Sequence, residues 1–191
     1  MDYSIYEPPQ LEINITLALG LTILSPYYHQ FARGLGLNGH ETVMDFGSGS
    51  GVCSRHIAAR LQKGGHLVCV DISKGWNSVI KKTLKLYNNV DFFLGSITGF
   101  DQQESSFDLI VIHFVLHDLP RSDRAGLLTN LARFLKPDGS IMIREPEEHG
   151  LTIDEMELMA TNAQLNPISI KAHRIAFLPV LDFHYTKTKE K

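Results

Sequence analysis

The segment Val43-Met44-Asp45-Phe46-Gly47-Ser48-Gly49-Ser50-Gly51 constrains this chain most. An apolar run passes straight into three alternating glycines and then into a stretch of helical period containing Ile57, Ala58 and Leu61. Glycine adopts positive φ at no steric cost and lets a backbone approach a ligand closely, while the following helix offers free N–H groups and a partial positive charge. Strand, glycine turn and helix in that order make a first βα turn of the nucleotide-binding kind. A G-x-G-x-x-G dinucleotide fingerprint needs glycine where Val52 stands, which weakens a nicotinamide-dependent oxidoreductase reading. No lysine follows the glycines at the spacing of a P-loop, which removes an ATPase reading.

The rest of the chain alternates apolar runs with helical periods, the pattern of a mainly parallel sheet wrapped by helices. Residues 42–46, 67–71, 90–94, 108–113 and 140–145 are expected strands, and the unbroken Leu109-Ile110-Val111-Ile112 suits burial on both faces. Trp76, Ile80, Leu84 and Tyr87 space as one crossover helix, and Leu127, Leu128, Leu131, Phe134 and Leu135 as another. Pro137-Asp138-Gly139 is expected to end the latter in a turn. Thr152 and Glu155 have capping-box spacing ahead of a helix with Met156, Met159 and Ala163 on one face. The β-branched and aromatic residues of 168–186 predict two final strands, at least one of them antiparallel. The expected fold is α/β: a Rossmann-like doubly wound sheet of about seven mostly parallel strands, one antiparallel near the C-terminus, with helices on both faces. Residues 1–38 are expected to be a helical extension or lid of the same domain, and 39–191 its ligand-binding body.

Composition narrows the class of partner. With 191 residues, 43% hydrophobic and 20% charged, the chain can bury a core unaided. A net charge of -3 gives no basic field to draw nucleic acid or anionic lipid, so a small-molecule partner is expected. The apolar stretch 17–24 is too short to cross a bilayer, and Met1, Asp2 and Glu7 lack the basic flank of a signal peptide. Cys53 and Cys69 read as core residues in a reducing compartment, and a cytoplasmic protein, monomeric or homodimeric, is expected.

The pattern Asp45-x-Gly47-x-Gly49-x-Gly51, with Asp71 ending the next strand, resembles the first motifs of the class I S-adenosylmethionine-dependent methyltransferases. Gly95-Ser96-Ile97, Phe107-Asp108 and Leu135-Lys136-Pro137-Asp138-Gly139-Ser140 fall where that family carries later motifs, so the resemblance covers about residues 40–146. Val115-Leu116-His117-Asp118-Leu119-Pro120 looks most like the small-molecule branch that includes the ubiquinone and menaquinone biosynthesis methyltransferases. The resemblance implies S-adenosylmethionine as cofactor and S-adenosylhomocysteine as product. The loop of Asp45, Phe46, Gly47, Ser48, Gly49 and Gly51 would hold the methionine part, with Asp45 near its amino group. Asp71 would accept the two ribose hydroxyls, a role that fits an acceptor-only carboxylate. Ile72 and Ile97 would enclose the adenine, and Ser96 stands where the family often has an acid.

His113, at the expected end of the fourth strand, is a candidate for binding the cofactor and lining the substrate site, where open α/β sheets bind ligands. An oxygen or nitrogen acceptor must lose a proton, for which His113, His117 or Glu145 are candidates. His113 and His117 have i,i+4 spacing but straddle a strand end and a turn, so no metal site is expected. Tyr27 and Tyr28 are expected to pack the N-terminal extension onto the core, and Lys74, Lys81, Lys82 and Lys85 to form a solvated face. The alternative to an enzyme transferring methyl groups by in-line displacement is a catalytically silent cofactor-binding sensor or partner subunit.

Overall fold

The computed structural model describes residues 7–147 and 151–188, so the first six residues of the expected extension lie outside the described residues. The chain divides into two compact units, one ending at Phe100 and the other beginning at Asp101.

The first unit contains α1 (Gln10–Leu21), α2 (Ser25–Gly34), β1 (Thr42–Phe46), α3 (Val52–Ala58), β2 (His66–Asp71), α4 (Lys74–Thr83) and β3 (Val90–Leu94). Its strands run parallel in the order β3-β2-β1, with Val43 opposite Leu67 and Leu67 opposite Val90. Val43, Met44, Leu67 and Val70 are wholly buried, as strands covered on both faces require. Helix α4 starts because Ser73 caps it, its side chain accepting the Trp76 N–H. It ends at Thr83, so Leu84 is its C-cap and Tyr87 lies beyond it, although both continue the apolar period. The extension is helical as expected but broken between α1 and α2. Pro26 near the α2 N-terminus explains where the second helix starts.

The second unit contains β4 (Phe107–His113), α5 (Arg121–Phe134), β5 (Leu135–Pro146), α6 (Ile153–Asn162), β6 (Leu165–Ile175) and β7 (Leu178–Lys187), with strands in the order β4-β5-β7-β6. Strands β4 and β5 are parallel, and β7 runs against both β5 and β6, which makes it the single reversed strand of this unit. The capping box at Thr152 and Glu155 is formed, and Met156, Met159 and Ala163 are buried together. The Pro137-Asp138-Gly139 segment departs from expectation. Helix α5 has already ended at Phe134, and β5 begins at once with Leu135 paired to Phe107. The next registered pair is Leu109 with Ser140, so residues 136–139 are an outsized bulge within the strand rather than a turn ahead of it. Asp138 takes φ +65 there.

Gly51 is required for packing. At φ +76 it allows α3 to start, and a Cβ built on it would sit 2.5 Å from Cγ1 of Ile80 on α4. Gly51→Ala is expected to destabilise the protein by about 2–4 kcal/mol, combining overpacking with left-handed backbone strain. Urea unfolding measures this. Trimming Ile80 to Ala in the same chain should make the two costs less than additive, and strict additivity would show that the two residues do not meet.

Candidate functional site

The glycine loop of the first unit is held by backbone and by one carboxylate. Gly47, Gly49 and Gly51 all have positive φ, and the N–H groups of Gly47 and Ser48 both donate to the Val70 carbonyl of β2, at 2.8 and 3.2 Å. Asp71, the last residue of β2, is 9% exposed; its Oδ2 accepts Gly49 N–H at 2.8 Å and its Oδ1 accepts Ser73 N–H at 2.9 Å. One side chain thus ties the loop after β1 to the turn before α4. Burial raises the Asp71 pKa, opposed by these backbone donors.

Asp45, in β1, is 1% exposed and accepts a 2.5 Å hydrogen bond from the Ser54 hydroxyl of α3. Burial pushes its pKa up to about 7, against the pull of Ser54, with the Asp71 charge adding to the rise. Such a carboxyl is poised to ionise when a cationic group arrives. The Ser48 hydroxyl is buried in the same loop with no hydrogen-bond partner among the described residues, a cost a polar ligand would remove. Phe46 and Ile72 are half-buried, Ile97 is buried, and Ser96 caps the 3-10 turn Ile97–Gly99 through Thr98 N–H. The Asp71 carbonyl accepts Gly95 N–H at 2.9 Å, so the Gly95-Ser96-Ile97 segment starts beside the end of β2. Asp45, Ser48, the glycines, Asp71, Ile72, Ser96 and Ile97 all belong to this unit, and hydrogen bonds join its strand ends and loops.

The second unit carries His113, His117 and Glu145. Glu145, near the end of β5, is wholly buried. Its Oε1 accepts the N–H groups of Val115 and Leu116 at 2.8 and 2.7 Å, and its Oε2 lies 2.7 Å from Nδ1 of His117. Nδ1 therefore carries the proton, and Nε2 is the basic nitrogen, 3.4 Å from Oδ1 of Asp118. The Glu145 hydrogen bond raises the His117 pKa above its ordinary value. His113 is the opposite case: burial, reinforced by the charge of Arg144, pushes its pKa down to about 3. It stays neutral at physiological pH and is a weak proton acceptor. Among the described residues no group of three or more His, Cys, Asp or Glu side chains is placed to hold a metal ion, and no helix is long and apolar enough to cross a membrane.

Four contributors escaped sequence reasoning. Ser54 is the donor to Asp45. Glu7 accepts Ser73 Oγ at 2.9 Å, Lys74 N–H at 2.6 Å and Gly75 N–H at 3.1 Å, fastening the segment before α1 to the start of α4. Phe114 takes φ +59 directly after β4, and its ring meets that of His113 edge-on at 4.4 Å. Arg144 reaches Asp182 through two 2.6 Å hydrogen bonds. Only Phe114, an aromatic following a histidine at a strand end, carried any local signal.

Comparison with known proteins identifies the family and the fold. The family model described as "Methyltransferase domain" matches residues 43–139. A ubiquinone/menaquinone biosynthesis C-methyltransferase from Hydrogenovibrio crunogenus is 29% identical over 113 residues, covering 58% of this chain and 44% of that protein. The chain thus spans under half the length of that curated relative. A methyltransferase structure from Aquifex aeolicus superposes with TM-score 0.73 at 16% identity, covering 84% of this chain and 89% of that one. The 1,6-didemethyltoxoflavin-N1-methyltransferase of Burkholderia thailandensis, solved with 1,6-didemethyltoxoflavin and S-adenosylhomocysteine, superposes with TM-score 0.70 at 19% identity, covering 93% and 86%. These likenesses establish the Rossmann-like methyltransferase fold expected from the sequence.

The raised pKa of Asp45 has a testable consequence for stability. The fold favours its protonated form, so its contribution is fully present below the ordinary pKa of 3.8 and is lost as pH rises through about 7. Asp45→Asn removes the titration but keeps an acceptor for Ser54. Its Tm relative to the parent should therefore climb by several degrees, about 5 °C, between pH 5 and pH 8. Parallel Tm curves for the two proteins across that range would contradict a neutral Asp45.

Proposed function

The chain belongs to the methyltransferase domain family, and from that premise we propose that it transfers the methyl group of S-adenosylmethionine to a small-molecule acceptor. The observation that carries the proposal is the Asp71 carboxylate, nine-tenths buried at the end of β2 and joined to Gly49. A carboxylate has about four lone-pair directions, so the backbone N–H groups of Gly49, Ile72 and Ser73 leave capacity for a ribose hydroxyl. Asp45 then faces the amino group, whose positive charge would draw off its proton, and Ser48 gains a partner. Ile72 and Ile97 supply apolar walls for an adenine, and Ser96 stands beside them. The methyltransferase names of the curated relatives support an enzyme over a silent binder.

S-adenosylmethionine, when bound, supplies the methyl group as an electrophile and leaves as S-adenosylhomocysteine. The protein's part is alignment and, for an oxygen or nitrogen acceptor, removal of a proton. His117 is the proposed base: Glu145 fixes its tautomer and raises its pKa, which leaves Nε2 to take the proton. Held neutral and weakly basic, His113 is proposed to shape the acceptor's surroundings. Residues 1–38 are proposed to act as a lid, consistent with the attachment of Glu7 beside Asp71.

Two measurements test this reading. Calorimetric titration with S-adenosylhomocysteine should give micromolar binding, weakened roughly 10- to 100-fold in Asp71→Asn, with NADH inert in both proteins. Asn is the informative replacement because it keeps an acceptor for one backbone N–H. Absence of binding to either sulfur compound would defeat the proposal. Separately, the His117 titration midpoint followed by NMR should fall in Glu145→Gln, because the neutral amide withdraws the charge that favours the imidazolium. An unchanged midpoint would rule out Glu145 as the group that tunes His117.

A further inference from the structure

Helices α2 and α3 of the first unit bring together a polar cluster that takes no part in the glycine loop. Arg55 Nη2 donates to the Ser25 hydroxyl at 2.8 Å, Ser25 Oγ lies 3.3 Å from Nε2 of His56, and the rings of His29 and His56 meet edge-on at 5.5 Å. Ser25 and His29 stand one helical turn apart on α2, and Arg55 and His56 are adjacent on α3. The cluster therefore joins one permanent cation, two imidazoles and a hydroxyl.

Several cations elsewhere have acids beside them: Arg144 has Asp182, Arg133 has Glu104, Lys136 has Asp108, and His66 has Asp91. Arg55 forms no ion pair with a carboxylate among the described residues. Its Nε is buried without a hydrogen-bond partner among the described residues, and its Nη2 donates to a neutral hydroxyl. Half-buried positive charge in this state is costly, and a guanidinium presents a planar fork of donors suited to an oxyanion. Consistently, burial together with the charges of Arg55 and His29 pushes the His56 pKa down to about 4. No acidic neighbour figures among the influences on it. Exposed His29 gives the cluster an edge open to solvent.

We propose that Ser25, His29, Arg55 and His56 form an oxyanion-binding site that takes the carboxylate or phosphate group of an anionic methyl acceptor. The acceptor part rests on the methyltransferase reading; the anion site does not. Its placement suits an acceptor because Arg55 and His56 directly follow Ser54 on α3, whose hydroxyl donates to Asp45 of β1. An oxyanion would accept from Arg55 and, on protonation of His56, from that ring as well. It would thereby anchor one end of a molecule beside the N-terminal helices.

The test follows the His29 and His56 ring signals of the full chain by NMR during titration with inorganic phosphate. Potassium chloride at matched ionic strength is the control, and each series is run with and without saturating S-adenosylhomocysteine. Phosphate should raise the His56 midpoint by about one pH unit, since a nearby opposite charge favours the imidazolium. Arg55→Gln should weaken phosphate binding roughly tenfold while leaving S-adenosylhomocysteine affinity unchanged. A His56 signal that responds to phosphate and chloride alike overturns the site. Displacement of phosphate by S-adenosylhomocysteine overturns it as an acceptor site, because the cofactor's own carboxylate would then be the occupant. Phosphate binding in a protein that ignores S-adenosylhomocysteine would keep the anion site but refute its assignment to a methyl acceptor, and with it the proposed function.

Discussion

The hydrogen bond from Gly49 to Asp71 is the interaction on which the first unit's site depends. A loop with three glycines at positive φ has great freedom when unfolded, and ordering it is entropically expensive. Two N–H groups donating to the Val70 carbonyl fix its start, and packing of Gly51 against Ile80 fixes its end. Beside the loop's own bond from the Gly51 N–H to the Ser48 carbonyl, its middle is held by the Asp71 carboxylate. Because the same group also accepts from Ser73, the loop after β1 and the turn after β2 are set by one side chain. Any ligand group bound by Asp71 is therefore presented to both at once.

Glu145 repeats that device in the second unit. It too is a carboxylate near a strand end, wholly buried, and its charge is balanced by backbone N–H groups of a neighbouring connection. A buried carboxylate persists only where donors converge on it, and here those donors are supplied by the turn at Val115 and Leu116 and by the His117 ring. Glu145 thus shapes the turn and orients the ring together. Read from the sequence alone, it was one of three equivalent candidates for a base. Its hydrogen bonds make it the group that positions His117.

The expected strands 42–46 and 90–94 match β1 and β3 residue for residue, although burial on both faces explains the apolar runs of inner strands such as β4 and not β3, which ends the strand order and has no buried residue. Where the reading failed, local chemistry and tertiary pairing disagreed. Pro137-Asp138-Gly139 has turn residues and a left-handed Asp138, yet pairing of Leu135 with Phe107 draws the segment into β5 as a bulge. The apolar period through Leu84 and Tyr87 outlasts α4, since residues beyond a helix end can still pack. The glycines and Asp71 announced themselves by spacing, as did the candidate histidines. Glu7 and Arg55 could not, because a lone acid or base means nothing until the fold shows what lies beside it.

The two histidines show why residue type falls short of assigning a role. His113 and His117 are four residues apart and start from the same ordinary pKa, but the fold separates them. Arg144 and burial hold one ring neutral far below that value, whereas Glu145 lifts the other above it. Environments that drive two like groups apart are how a site divides acid–base work from shape. Burial sets the direction for His113, reinforced by Arg144, its β5 partner in register, whereas Glu145, the next residue along, sets it for His117. Successive residues of a strand point to opposite faces, so β5 offers a cation to one side and an anion to the other. Together with burial, that alternation gives the two rings shifts of opposite direction.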